Sequence, residues 1–156
     1  MTAEETIERL RARIGQEIHV SDWLQVTQEM IDAFAEVTGD RQWIHVDRER
    51  AARESPWGTT IAHGYLTLSL FSALRTRGND ASDLLPSGVK NVINYGLDRL
   101  RFPAPVKAGA RVRARTTLLG VEPVPGGLQI TERRTMEIEG ESKPACVADT
   151  IIRVML

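Results

Sequence analysis

A chain of 156 residues, 42% apolar and 26% charged, is one domain's worth of globular protein, able to bury roughly two thirds of its unfolded surface without staples. Its 20 basic and 21 acidic side chains leave a formal charge of -1, which excludes the basic footprint of a nucleic-acid binder. A single cysteine, Cys146, excludes an intrachain disulfide; in a strand-like apolar run it reads as a buried, structural thiol in a reducing compartment. MTAEETIERLRARIG is charged where a signal peptide needs an apolar stretch, and no apolar run approaches a membrane span, so the expected location is the cytoplasm.

One domain is expected over residues 1–156, with 1–14 as an N-terminal helical extension. Thr2 with Glu5 is a capping-box pattern, and Ile7, Leu10 and Ile14 recur on one face up to Gly15, which predicts a short amphipathic helix over 3–14. His19 to Val26 reads as an edge strand. Thr27 then caps a helix whose Met30, Ile31, Phe34, Ala35 and Val37 form the buried stripe, and Gly39 stops it. Residues 40–47 follow as a loop. DRERAARES is a short helix capped by Asp47 and ended at Ser55-Pro56, because the residue before a proline is pushed out of the helical region.

AHGYLTLSLFSALRTRG is apolar nearly all round through Leu74, the pattern of a helix buried by the body of the protein, and NDASDLLPSG is a surface loop. From Val89 the period becomes two. Val89, Asn91, Ile93 and Tyr95 share a face, but beyond Gly96 the apolar positions move to Leu100 and Phe102, a parity switch that predicts a bulge at the glycine. Arg111 to Val121, Leu128 to Glu139 and Ala145 to Val154 are three further strands, joined by the turns Pro125-Gly126-Gly127 and Glu139-Gly140-Glu141. One long buried helix ahead of four long strands predicts an α+β layer arrangement, a curled antiparallel sheet wrapped around that helix.

Chemistry is concentrated just ahead of the buried helix, where Asp40, His45, Asp47 and His63 crowd together and Gly64 opens the helix. An aspartate in a Gly-Asp turn, a histidine five residues on and a glycine amide at a helix start supply a base, an acid and a backbone anion site, the parts that activate water beside a carbonyl. Each has a plainer alternative: Asp40 as a turn residue, His45 as a satisfied interface histidine, Gly64 as a packing glycine. Asp47 reads as the cap of the following helix and His63 as a hydrogen-bonder beside the site. His45-Val46-Asp47 also spells the His-x-Asp fragment of an iron triad with His63 as third ligand. No second carboxylate-histidine cluster accompanies it, so no metal is expected.

GDRQWIHVD, IAHGYLTLSLFSAL and NYGLDRLRFPAPV together resemble the MaoC-like, R-specific enoyl-CoA hydratase family in its NodN-like branch, from about Ile18 onward. The resemblance implies a hot-dog fold, a homodimer, and hydration of a trans-2-enoyl-CoA to the (R)-3-hydroxyacyl-CoA by water activated between Asp40 and His45. It implies Gly64 as the oxyanion donor, Ser72 in the catalytic pocket, no metal, and no cofactor beyond the coenzyme A of the substrate. The family motif runs G-D-x-N-P-x-H-x-D, whereas Gln42 and Trp43 stand here where Asn and Pro are expected; Trp43 becomes a candidate pocket wall. Arg101 and Lys107 are candidates for the coenzyme A phosphates, as are Arg111, Arg113 and Arg115, which alternate along one strand; a solvated outer face explains that row equally well.

The predicted helix from Ala62 to Arg77 contains no Asp or Glu, which disfavours the hot-dog thioesterases and dehydratases that carry a helix carboxylate. Two other functions remain open: a dehydratase of 3-hydroxyacyl thioesters on coenzyme A or acyl carrier protein, and a non-catalytic acyl-thioester binder. The spacing does not say which of Asp40 and His45 is the base.

Overall fold

The computed structural model describes residues 2–78 and 85–156; the predicted loop over 79–88 lies mostly outside them. Helix α1 (Ala3–Arg11) opens on the expected capping box, with Thr2 Oγ1 accepting from the Glu5 amide at 3.2 Å and the Thr2 amide donating to the Glu5 carboxylate at 2.8 Å. It ends at Arg11, short of residue 14, so Ile14 stays 45% exposed while Ile7 and Leu10 are buried. Helix α2 (Gln28–Thr38) runs from the Thr27 cap to Gly39, whose φ of 77° is the left-handed stop that a glycine adopts without a Cβ clash. Within the predicted loop, one turn of helix forms, α3 (Trp43–Val46); α4 (Arg48–Glu54) follows from its Asp47 cap.

The expected edge strand His19–Val26 is broken into β1 (Glu17–Val20) and β2 (Leu24–Gln25). Between them Ser21 leaves the ladder but remains tied to it, its amide and its hydroxyl both bonded to Ala114. The long strands are β3 (Asn91–Arg101), β4 (Arg111–Val124), β5 (Gly127–Ile138) and β6 (Cys146–Met155). All pair antiparallel in the order β1-β4-β5-β6-β3, with β2 also on β4. The parity switch in β3 is a true bulge: its register against β6 slips between Asn94 and Gly96, and again between Asp98 and Arg101, where Arg99 takes a φ of 54°.

Helix α5 (Gly64–Arg75) lies on the inner face of the sheet and drives Leu66, Leu70, Phe71 and Leu74 into a core with Val112, Ala114, Met136, Ile138 and Cys146. Each such leucine contributes about 1.5–3 kcal/mol of burial. Burial also pushes the Cys146 thiol up to about 12, so it is inert packing, as expected. A second apolar cluster lies under α1, around Leu118, Leu128, Ile130 and Val154.

The helix is not enclosed all round in one copy of the chain. Tyr65 is 68% exposed, and Ser69 and Ser72 are exposed with it, because the sheet ends at β3 before it curls over this flank. Edge strand β3 in turn exposes Ile93, Tyr95 and Leu97 by about half. Among the described residues no helix is long and apolar enough to cross a membrane.

Candidate active site

The chain reverses at Gly39, and Asp40 emerges at the end of α2 facing the start of α5. Its Oδ1 accepts from the Gln42 amide at 3.4 Å and from Gln42 Nε2 at 3.1 Å, a local turn that holds the carboxylate and launches α3. Those bonds, the Gln42 side chain foremost, hold the Asp40 carboxyl below the ordinary aspartate range. The single turn of α3 then buries His45, and buried Gln28 anchors it by donating to the His45 carbonyl at 2.7 Å while accepting from the Thr60 hydroxyl.

Backbone chemistry fixes the tautomer of His45. Its Nδ1 lies 2.7 Å from the Ile61 carbonyl, which can only accept, so Nδ1 carries the proton and Nε2 keeps a lone pair. Burial disfavours the imidazolium and holds the His45 pKa below the ordinary histidine value, against the opposing pull of the Ile61 bond. Across from Nε2, Oδ2 of Asp40 stands at 4.0 Å. Two acceptors therefore face each other.

His63 braces the pair from behind. Its Nε2–H donates to the Asp40 carbonyl at 2.8 Å, and its ring stacks on that of His45 with centroids 3.8 Å apart and planes 25° apart. Nδ1 of His63 is buried without a hydrogen-bond partner among the described residues. Gly64, next in the chain, begins α5, so its amide is one of the first-turn donors without an intrahelical partner and sits in the positive end of the helix dipole. A Cβ at position 64 would come within 3.0–3.2 Å of the Phe102 ring, so only glycine lets Phe102 close on the helix start. Phe34, Tyr65 and Phe102 join Asp40, His45, His63 and Gly64 around a cavity of about 520 Å³.

Relatives decide what kind of protein carries this arrangement. Residues 9–139 match the MaoC like domain. The chain belongs to the MaoC-like family. It is 49% identical to the 3-hydroxyacyl-thioester dehydratase Z of Mycobacterium tuberculosis over 98% of both chains. Nodulation protein N of Rhizobium leguminosarum bv. viciae is 48% identical over 90% of this chain and 85% of that one. The R-hydratase PhaJ1 of Pseudomonas aeruginosa superposes with a TM-score of 0.68 at 25% identity, over 91% of this chain and 81% of that one. The expected hot-dog architecture is thus the fold of this MaoC-like chain.

Against the MaoC-like motif, the departures at Gln42 and Trp43 acquire a physical reading. Gln42 supplies the donor that orients Asp40. Trp43 lies outside the cavity of Asp40 and His45: two positions apart on one helical turn, Trp43 and His45 face opposite ways, and the indole stacks with the Arg50 guanidinium at 4.3 Å. Ser72 lines a different cavity, two turns further along α5. Arg101 and Lys107 are exposed and belong to segments that border the site, Arg101 next to Phe102 and Lys107 bridged to Ile61. Arg111, Arg113 and Arg115 share an outer face as expected, but Glu139, Glu137 and Glu17 pair with them, which leaves that row a poor phosphate platform.

Asp47 is committed to the Arg50 amide at 2.9 Å. The groups that approach a ligand set are instead Asp40, His45 and His63, with candidate atoms within 4.8 Å of one another. An ion bonding at about 2.0–2.1 Å would have to draw these atoms closer together than they stand. Sequence reasoning missed Phe34 and Tyr65 as cavity walls and Gln28 as an anchor. Phe102 carried a signal only in being set with Leu100 on a face apart from Ile93 and Tyr95, since its direction follows the second slip, between Asp98 and Arg101, and not the one at Gly96 alone; Gln28, the first residue after a cap, carried none.

Proposed function

We propose that the protein catalyses reversible, R-specific hydration of a trans-2-enoyl-CoA to the (R)-3-hydroxyacyl-CoA. The observation that carries this reading is the pair of acceptors 4.0 Å apart beside a free helix-start amide. A water donating one proton to Asp40 Oδ2 and the other to His45 Nε2 satisfies both groups, and its oxygen lone pair is then aimed at C3 of an enoyl group whose thioester oxygen rests on the Gly64 amide. With Asp40 ionised and His45 neutral, neither holds a proton to spare. The proton leaving water as its oxygen bonds to C3 is therefore the one returned to C2, and hydroxyl and hydrogen arrive on the same face. General acid-base catalysis of this kind contributes roughly 10²–10⁴ in rate, and the amide stabilises the charge that grows on the thioester oxygen. No metal and no cofactor beyond the coenzyme A of the substrate enters the scheme; in this reading Arg101 and Lys107, exposed on segments that border the site, meet its phosphates.

The same groups run the reaction backwards, and a relative named as a 3-hydroxyacyl-thioester dehydratase supports that direction equally. Incubation with crotonyl-CoA should remove the enoyl-thioester absorbance, and the product should reduce NAD only with an (R)-specific 3-hydroxyacyl dehydrogenase. Signal with the (S)-specific enzyme alone would overturn the placement of water between Asp40 and His45, and no loss of absorbance would favour a non-catalytic acyl-thioester binder.

Two copies join through β3 in this reading. An eleven-residue edge strand with Ile93, Tyr95 and Leu97 half exposed is a template for pairing, and a second copy laid against it would cover the open flank of α5. Light scattering at micromolar concentration should give a dimer or a dimer of dimers; an active monomer refutes it.

A further inference from the structure

Strand β5 turns Glu132 and Arg134 inward, between the two apolar clusters, where they are 3% and 7% exposed. Arg134 Nε and Nη2 donate to Glu132 Oε2 at 3.0 and 2.7 Å, Arg75 Nη2 donates to the same oxygen at 2.7 Å, and Arg134 Nη1 reaches the Phe71 carbonyl at 3.4 Å. A guanidinium has five N–H groups, so among the described residues one on each Nη of Arg134 is left over. Among the described residues two guanidiniums share one carboxylate, which leaves a positive charge unmatched where water is scarce. Burial pushes the Glu132 carboxyl above its ordinary range against the pull of Arg75, and a proton on it would only enlarge that excess.

Arg134 is also a wall of the cavity that holds Ser72, about 340 Å³ between α5 and strands β3 and β6, whose body is apolar with Leu68, Leu97 and Ile151. Both this cavity and that of Asp40 and His45 open along α5, Gly64 bordering one and Ser72 the other. Those residues are eight apart, ~12 Å along the helix axis.

We propose that this second cavity takes the far end of an acyl chain whose thioester rests at Gly64, and that Arg134 selects chains ending in a carboxylate. The inference rests on the acyl-thioester reading above. A terminal carboxylate meets the two spare N–H groups as a charge-assisted, two-point bond and matches the excess charge. A methyl end buries similar apolar surface and leaves that charge as it was. Arg75 does not line this cavity and has a quarter of its side chain in solvent, so the selection falls to Arg134.

The test compares trans-2-decenoyl-CoA with its ten-carbon counterpart ending in a carboxylate, by kcat/KM, and the two saturated thioesters, which cannot react, by calorimetric binding. The carboxylate-ended compound should be favoured roughly tenfold or more in both, the low end of a hydrogen bond to a charged group, through KM and not kcat. Arg134→Met, which leaves Glu132 paired with Arg75, should bring the ratio to about one, and Arg134→Lys should retain part of it. Equal or better use of the methyl-ended chain by the unmodified protein overturns the proposal without any variant, as does a preference that survives Arg134→Met. Selective binding without turnover of either enoyl thioester would uphold this inference and overturn the hydratase reading.

Discussion

The two ends of α5 hold polar clusters of opposite character. At the N-terminal end Asp40 and His45 present two acceptors to each other at 4.0 Å, and His63 buries a ring nitrogen without a partner among the described residues. At the C-terminal end Glu132 draws two guanidiniums onto one oxygen at 2.7–3.0 Å, inside the packed core. Polar groups left wanting partners next to a cavity are poised to accept a ligand, since an unmet acceptor costs free energy that the right molecule returns. Groups that saturate one another hold structure, and only what they leave over, two N–H groups on Arg134, is available for recognition.

The comparison breaks most visibly if the saturated cluster proves dispensable. Glu132→Leu leaves Arg75 and Arg134 facing each other over an apolar core, and removing one partner of a buried ion pair costs about 3–5 kcal/mol. The urea midpoint should fall accordingly, and an unchanged midpoint would show that water reaches these guanidiniums. At the other end the loss should appear in rate. Asp40→Asn and His45→Gln each replace a group able to take a proton from the water by an amide that cannot, with little change in volume, so kcat should drop by roughly two orders of magnitude or more while the midpoint barely moves. Wild-type turnover in either variant would end the proposed chemistry.

How much of this contrast was legible in the sequence differs between the two ends. Spacing and resemblance pointed to Asp40, His45 and Gly64 because their chemistry is written locally, in a turn, one helical turn and a helix start. The meander, the bulge at Gly96 and the Asp47 and Thr27 caps were legible for the same reason. The Glu132-Arg134 pair was hidden although period two in LQITERRTMEI puts both on the face of Leu128, Ile130, Met136 and Ile138. Two charges two residues apart on an apolar face read equally well as a break in it, and Arg75, which completes the buried cluster, is fifty-seven residues away. Trp43 went astray differently. A loop over 40–47 leaves its direction free, whereas the helical turn that forms there commits it to the side opposite His45. The open flank of α5 could not be read at all, because apolar composition does not tell cover by the same chain from cover by a second copy.

A smaller effect sharpens the role of the helix start. In Gly64→Ala the new Cβ meets Phe102 at 3.0–3.2 Å, and either the ring gives way or the thioester oxygen loses its approach. A displacement of about 1 Å at this point can cost as much as roughly 10² in kcat/KM. The double variant with Phe102→Ala separates the causes: recovery means crowding of the ring, and no recovery means that the substrate itself needs the space above Gly64.

The smallest expected effect concerns proton occupancy. Catalysis as proposed needs His45 neutral and Asp40 ionised, and both pKa values lie below their ordinary ones. As pH falls, the histidine takes its proton first, since ordinary values are ~6.5 for histidine and ~3.9 for aspartate, so the acid limb of kcat/KM should report His45 and lie below the ordinary histidine value. The sign for stability follows the same way: an unfolded chain binds that proton more readily, so stability contributed by neutral His45 is intact above the unfolded value and is lost as pH falls from there toward the folded one. Burial is the leading cause of the depression, and the proximity of the stacked His63 ring, which opposes a charge on His45, is a lesser one. His63→Gln, which keeps a donor for the Asp40 carbonyl but removes the stacked ring, should therefore move the acid limb upward without carrying it to the ordinary value. A pH profile of the variant against the unmodified protein reads this directly, and a limb that stays in place or moves down would mean that His63 acts on Asp40 through the backbone alone.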